Sequence, residues 1–366
     1  MIVATPNLSG SQLRELEKIW NLQNELKPLL HEPKVWTGSL RRQELGKVVR
    51  FSTEIEGYSA SDSMVQEVLL GQEPKLSEQT FRALRGYRQA MTFVLQLAEL
   101  RPISLDTNLV RALHFMTLDG EVASQAGKFR ESEVFVADSE GRLLHEGADW
   151  ERVPGLVAEV CQRYFSPEPL VNIVQAAMIH LNMVLIHPFK DGNGRMARIL
   201  QSLLLSFEEK PSPVFLSIEE QLGKNTQSYY AVLSEVGQGR WNPKVDARPW
   251  IDFILRSHLE QLEVVKQRSS KLSEQWRLVA EVAEASGLNE RVVPALVHVL
   301  SGNSLSNTTY RKILQEAGDD VRPLTASRDL ALLMELGLLL PQGDNRARSY
   351  LAGPKLRNLQ PIRSGN

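Results

Sequence analysis

The stretch "HPFKDGNGRMARILQSLLL", residues 187–205, decides the fold. Before it, "PLVNIVQAAMIHLNMVLI" is an apolar run that stops at His187-Pro188. A residue preceding proline is pushed out of the right-handed helical region. The spacing therefore predicts a buried helix ending at Ile186, with His187 at a loop edge. Phe189 is an apolar anchor turned inward, which leaves Lys190 and Asp191 facing out. Gly192 and Gly194 can adopt backbone angles that other residues avoid. With Asn193 between them, several backbone N–H groups can converge into an anion-binding nest. A second helix, starting near Arg195 or Met196, adds its positive N-terminal end. The planar forks of Arg195 and Arg198 suit phosphate oxygens. Asp191 is a hard oxygen ligand beside them, suited to a Mg²⁺ ion shared with phosphates.

Other readings of this loop fit less well. A Walker loop needs Lys-Ser/Thr after its glycines, whereas Gly194 is followed by Arg195-Met196. A zinc site from His180 and His187 lacks the i, i+4 spacing and any His-Glu-x-x-His pattern. A tight helix–turn–helix corner explains Gly192 and Gly194 but not Asp191, Arg195 and Arg198.

"HPFKDGNGRMAR" resembles the signature of the Fic family, His-x-Phe-x-Asp/Glu-Gly-Asn-Gly-Arg-x-x-Arg, at every defined position. The resemblance implies a mainly α fold, a Fic-type helical bundle carrying a β-hairpin flap. It implies transfer of AMP from ATP to a Tyr, Thr or Ser hydroxyl of a target protein, or of the chain itself. On it, His187 is the general base and Asp191 binds Mg²⁺. Gly192, Asn193 and Gly194 form the anion hole, Arg195 holds phosphates, and Arg198 pairs with the γ-phosphate. The base role also stands on chemistry: a histidine of ordinary pKa near ~6.5 can accept the proton of an attacking hydroxyl at neutral pH. Downstream, "NTQSYYAVL" resembles the Fic segment lining the adenine pocket. Asn225, Tyr229 and Tyr230 are candidates there, one tyrosine meeting the base while the other packs inward.

A second motif lies far upstream. "RFSTEIEGYSAS", residues 50–61, contains Ser52-x-x-x-Glu56-Gly57, which resembles the inhibitory Ser/Thr-x-x-x-Glu-Gly/Asn motif of Fic proteins. Read alone, Glu56 is a solvated glutamate at a helix end. Read with the Fic motif, it is a carboxylate that makes a bidentate pair with Arg198 and takes the guanidinium the γ-phosphate needs. In some family members the same glutamate supports removal of AMP.

Helical periodicity dominates the rest. "SQLRELEKIWNLQNELKPLL" sets Leu13, Leu16, Ile19, Trp20 and Leu22 on one broad face. "EQTFRALRGYRQAMTFVLQLAEL" repeats Leu84, Tyr87, Met91, Val94 and Leu97 at three- and four-residue steps. One stretch breaks the period: "ESEVFVADSEGRLLHEG" reads as a β-hairpin. It lies where the resemblance places the flap, with Val134, Phe135 and Val136 positioning a target by strand addition. Arg130 either orients the flap or target or is a solvated charge before a strand.

The formal net charge of −2 gives no global field that favours nucleic acid or an anionic membrane. The single cysteine, Cys161, sits in a helical pattern as a core residue and excludes an intramolecular disulfide. The N-terminus lacks the basic start and apolar stretch of a signal peptide. The most apolar segment, Ala176 to Ile186, is too short for a bilayer, which needs about 20 residues. The expectation is a cytoplasmic protein that does not enter membranes.

Four regions follow: an N-terminal helical region (1–100) with the inhibitory helix, a Fic core (101–255), a connecting helix (256–286) broken near Ser269-Ser270, and a C-terminal region (287–366). In the last, three short helices precede two strand-like pieces, the order of a winged helix, with Thr325 capping the third helix. Nine Lys/Arg face six Asp/Glu from Ser306 to Asn366, and "GDNRARSY" reads as a wing. Protein docking or homodimerisation through this region competes with DNA binding, which needs several phosphate contacts. The alternative function is a nucleotide-sensing, DNA-binding transcriptional regulator.

Overall fold

The computed structural model describes residues 1–30, 36–100, 105–137, 140–141, 143–164, 172–206, 212–343 and 348–359. They are mainly helical. In chain order they form α1 (Gly10–Leu30), α2 (Thr37–Glu54), α3 (Asp62–Leu69), α4 (Glu78–Leu97) and α5 (Thr107–Thr117). The strands β1 (Phe135–Ala137) and β2 (Leu143–Glu146) follow, then α6 (Val153–Tyr164), α7 (Asn172–Ile186) and α8 (Asn193–Leu205). Next come α9 (Pro213–Leu216), α10 (Glu219–Lys224), α11 (Thr226–Gly237) and the long α12 (Arg248–Ala285). The chain continues through α13 (Val293–Leu300), α14 (Asn307–Glu316), α15 (Pro323–Glu335), β3 (Leu339–Gln342), β4 (Ser349–Ala352) and α16 (Pro354–Arg357). The strands pair as two antiparallel hairpins, β1–β2 and β3–β4. No helix among the described residues is long and apolar enough to cross a membrane.

The described residues fall into two compact units. The first draws on 1–31, 47–60 and 75–264, the second on 32–46, 61–74 and 265–366, and α2 and α12 contribute to both.

In the first unit α7 packs along α8. α8 is buried on nearly every side, including Met196, Ile199, Leu200 and Leu203. A helix buried all round is a core element. Each fully buried aliphatic side chain contributes roughly 1.5–3 kcal/mol, so the first turn of α8 is fixed from behind. Trp250 closes the packing, its indole N–H donating to the Ala177 carbonyl at 2.7 Å. Local chemistry sets the other helix starts: the Ser77 hydroxyl accepts from the Thr80 amide at the head of α4, and the Asp106 carboxylate from the Leu109 amide at the head of α5.

Several boundaries and faces differ from the sequence reading. The buried stripe of α1 is Gln12, Ile19, Leu22, Gln23, Leu26 and Leu30, while Leu13 and Trp20 are more than half exposed. Gln12 rotates the stripe, because its amide donates to the Arg248 carbonyl and to Asp252. α8 begins at Asn193, two residues earlier than expected. α12 runs through Ser269-Ser270 without a break. Both hydroxyls fold back onto the Lys266 carbonyl, so they bond to the helix instead of competing with it. α15 starts at Pro323, ahead of Thr325, because proline's fixed φ suits the first helical position and its missing N–H costs nothing there.

In the second unit α13, α14 and α15 are followed by β3 and β4, and Leu305 bridges Tyr350 through two backbone bonds of 2.9 and 2.8 Å. Leu296, Tyr310, Ile313, Leu330 and Leu333 form its core. Arg291 forks onto Asp329 at 2.9 and 3.1 Å, and Asp329 also accepts from the Tyr310 hydroxyl. Residues 344–347, most of the expected wing tip, lie outside the described residues, as does Arg363.

Candidate functional site

The site forms where α7 ends and α8 begins. His187 donates its backbone N–H to the Met183 carbonyl at 3.1 Å and has φ +54°. It therefore caps α7 in the left-handed conformation that usually falls to glycine. A non-glycine residue there is strained by roughly 1–3 kcal/mol, and the surroundings over-determine it. Arg130 is 4% exposed and not a solvated charge. Its guanidinium donates to the carbonyls of His187 (2.7 Å), Ser132 (2.7 Å), Ile186 (3.3 Å) and Ala148, and its amide to Pro188 (3.0 Å). It thereby ties the base of the β1–β2 hairpin to the loop.

The His187 imidazole contacts the last turn of α7. Its Nδ1 lies 3.3 Å from the Val184 carbonyl. In the neutral ring this places the proton on Nδ1 and leaves the lone pair on Nε2. Burial, chiefly, pushes its pKa down to about 4, so the ring is neutral at physiological pH.

Beyond Pro188, Phe189 is fully buried as expected. The Asn193 side chain closes the loop on itself, accepting from the Phe189 amide and donating to the Phe189 carbonyl, both at 2.9 Å. Gly192 has φ +75°, and a Cβ there would lie 2.9 Å from Leu118. Its amide donates to Asp191 Oδ1 at 2.6 Å. Asp191 Oδ2 is 3.6 Å from Arg195 Nη2, and the carboxylate is about half exposed. Among the described residues no three His, Cys, Asp or Glu gather as a metal site. A lone exposed carboxylate fits an ion held mainly by phosphate and water, as Mg²⁺ is, and not a protein-caged metal.

Arg195 and Arg198 are 3% and 1% exposed. Among the described residues, Arg195 Nε and Arg198 Nη1 are buried donors without a hydrogen-bond partner. Buried donors are rarely left unpaired, and here two of them belong to arginines of the first turns of α8. The rest of the Arg198 fork is taken. Its Nε donates to the Ser52 hydroxyl (2.8 Å), and its Nη2 to the Ser52 carbonyl (2.9 Å) and Glu56 Oε1 (2.7 Å). The expected bidentate Arg–Glu pair is replaced by a fork shared between two residues one helical turn apart. Burial alone would push Arg198 down, but Glu56, Tyr229 and Tyr87 hold its pKa above the usual arginine range.

The geometry of Glu56 comes from how α2 stops. The Gly57 amide donates to the Glu54 carbonyl and the Tyr58 amide to the Thr53 carbonyl, with Gly57 at φ +88°. This is a Schellman closure, which needs glycine at that position. It sets Glu56 one turn beyond Ser52, with its carboxylate over the start of α8: a Cβ added to Gly194 would lie 2.5 Å from Glu56 Oε1.

Three contacts of this site escaped sequence reasoning. Tyr58 lies under the Arg195 guanidinium, 5.5 Å from ring centroid to Cζ. The Tyr230 hydroxyl donates to the Ile55 carbonyl at 3.3 Å, so this half-exposed tyrosine holds the same turn. His114 stacks on Phe189. Tyr229 is 1% exposed, with its hydroxyl 3.0 Å from His180 Nε2, and is the inward-packed member of the pair. Asn225 is exposed and donates to the Gln221 carbonyl. The hairpin pairs Phe135 with Glu146 and Val136 with His145, with Val134 just before β1. Phe135 and Leu143 are more than half exposed. His145 Nε2 meets the Leu185 carbonyl at 2.8 Å, which fixes β2 to α7.

Residues 104–205 match the model of the Fic/DOC family. The protein adenylyltransferase Fic of Nematostella vectensis is 26% identical over 266 residues, covering 68% of this chain and 57% of the relative. The protein adenylyltransferase fic-1 of Caenorhabditis elegans is 27% identical over 259 residues, covering 69% and 47%. The chain thus spans about half the length of the curated relatives it matches. Among solved structures, a Fic family protein from Desulfovibrio desulfuricans G20 aligns over 96% of this chain and 98% of that one, with TM-score 0.61 and 19% identity. Fic-1 from C. elegans aligns over 71% and 73%, with TM-score 0.57 and 20% identity. The fold is shared with both, and the helices and loop assembled around His187 lie within residues 104–205, the stretch that matches the Fic/DOC model.

Proposed function

We propose that the protein is an adenylyltransferase that transfers AMP from ATP to a protein hydroxyl and is held in a low-activity state by Glu56. The observation that carries this reading is the occupancy of Arg198. The Arg198 guanidinium is bound by Ser52 and Glu56 through Nε and Nη2, while its own Nη1 and Arg195 Nε are buried without a hydrogen-bond partner among the described residues.

In the proposed reaction His187 Nε2 takes the proton of the target hydroxyl as its oxygen attacks the α-phosphorus. A new P–O bond forms, the bond from the α-phosphorus to the bridging oxygen breaks, and pyrophosphate leaves. The amides at the start of α8 and the Arg195 guanidinium stabilise charge on the phosphate oxygens. Asp191 would hold Mg²⁺, which when bound neutralises phosphate charge. Arg198 takes the γ-phosphate once Glu56 withdraws. Phe135 and Leu143 on the exposed hairpin suit a target segment added as a strand. The order of α13 to β4 supports reading residues 287–366 as a winged helix, and the names of the relatives favour the enzyme over a DNA-binding regulator.

Incubation with ATP labelled at the α-phosphate and Mg²⁺ tests the proposal. Label on protein is expected, stronger with Glu56→Gly and lost when His187→Ala is added. Nucleotide binding without transfer in the Glu56→Gly protein would overturn it.

A further inference from the structure

The His114 side chain lies outside the signature yet touches the loop at Phe189 and Asp191. It is fully buried on α5 and stacks on Phe189, with ring centroids 3.6 Å apart and planes within 5°. Its Nδ1 receives the Gly127 amide at 2.8 Å. A backbone N–H can only donate, so Nδ1 carries no proton and Nε2 does. That Nε2–H points at the Asp191 carbonyl, 2.9 Å away. The tautomer is thus set by one neighbour and spent on the other. Gly192 leaves the room for this: a Cβ there would come 3.4 Å from His114 Nε2 and 2.9 Å from Leu118.

The bond matters for the carboxylate because Asp191 has few other restraints. It is exposed, and among the described residues its remaining polar contacts are the adjacent Gly192 amide and a loose approach to Arg195 at 3.6 Å. The Asp191–Gly192 peptide carries both the Asp191 carbonyl and the Gly192 amide that meets Oδ1. Fixing the carbonyl therefore fixes the plane from which the carboxylate projects. Groups that orient a metal ligand from behind typically change metal affinity or activity by about 10- to 100-fold when removed.

We infer that His114 is a positioning residue for Asp191: through its Nε2–H it orients the peptide that aims the Asp191 carboxylate at a nucleotide-bound Mg²⁺. This inference rests on the proposed nucleotide site.

The test uses the full chain carrying Glu56→Gly, with calorimetric ATP titrations with and without Mg²⁺. His114→Gln keeps a donor that can reach the Asp191 carbonyl. His114→Asn keeps only an acceptor for the Gly127 amide. The expected result is that His114→Asn and His114→Ala lose about tenfold or more of the Mg²⁺-dependent gain in ATP affinity. Metal-free ATP affinity should stay within about twofold, and His114→Gln should recover most of the gain. Equal Mg²⁺ dependence in the Asn and Gln variants would overturn the inference. So would a parallel loss of metal-free affinity, which marks general loosening of the loop. If the Glu56→Gly parent shows no Mg²⁺-dependent ATP binding, the nucleotide site itself fails and the inference falls with it. If the parent responds and the variants match it, only the role of His114 fails.

Discussion

The start of α8 and the end of α2 are both helix termini closed by a left-handed glycine, Gly192 at φ +75° and Gly57 at φ +88°. Their chemistry is opposite. The first turn of α8 offers backbone N–H groups, the positive end of the helix dipole and two arginines. The last turn of α2 and the turn that closes it offer the Ser52 carbonyl and hydroxyl and the Glu56 carboxylate, all acceptors. The cradle proposed for a triphosphate is therefore complementary to the end of another helix that carries an acid. The proposed anion site and its internal occupant are built from the same elementary part used in its two polarities.

The largest break in this comparison removes the reacting group and leaves both helix ends in place. In the Glu56→Gly background, His187→Ala should lower AMP transfer by about 10²- to 10⁴-fold, the range for loss of a general base. ATP affinity should change little, which calorimetry on the same protein checks. Next comes removal of the acceptor end. A charge-assisted hydrogen bond is worth about 1.5–3 kcal/mol. Glu56→Gly should therefore raise transfer about 10- to 100-fold in a radiolabel assay.

A smaller effect sharpens the comparison. The ring of Tyr58 covers Arg195 as Glu56 covers Arg198. Tyr58→Ala should release about two- to fivefold more activity, the scale of an exposed cation–π contact, while Tyr58→Phe keeps the wild-type rate. The smallest effect is on pH. His187 serves as a base when neutral, which holds above its lowered pKa of about 4. The acid limb of kcat/KM in the Glu56→Gly protein should lie near that value. The rate should change less than about twofold between pH 7 and pH 5, where an ordinary histidine near pKa ~6.5 would already be mostly protonated.

Most of the donor end was legible in the sequence because its parts lie within twelve residues. The helix stop before Pro188, the buried Phe189 and the two inward arginines follow from local rules. The start of α8 was misplaced by two residues because Asn193 already bonds back to Phe189, which no periodicity shows. The acceptor end was half legible. Spacing of four residues puts Ser52 and Glu56 on one side of α2, but their partner is 146 and 142 residues away. Only the structure shows that Ser52 takes Nε while Glu56 takes Nη2, a shared fork in place of a bidentate Glu56 pair. Tyr229 and Tyr230 were separable only as one inward and one outward residue; burial beside His180 and Trp250 decides which. Arg130 and His114 were the hardest to read, because each acts on carbonyls of a loop 56 to 77 residues away.

The central claim is that Glu56 and the γ-phosphate compete for Arg198. It is tested most directly by the affinities of ATP and ADP, measured by calorimetry with and without Glu56→Gly. Competition for one guanidinium predicts that the substitution tightens ATP by about tenfold or more, on the scale of one charged hydrogen bond, and ADP much less. An equal gain for both nucleotides would contradict it, because ADP has no γ-phosphate to claim the arginine.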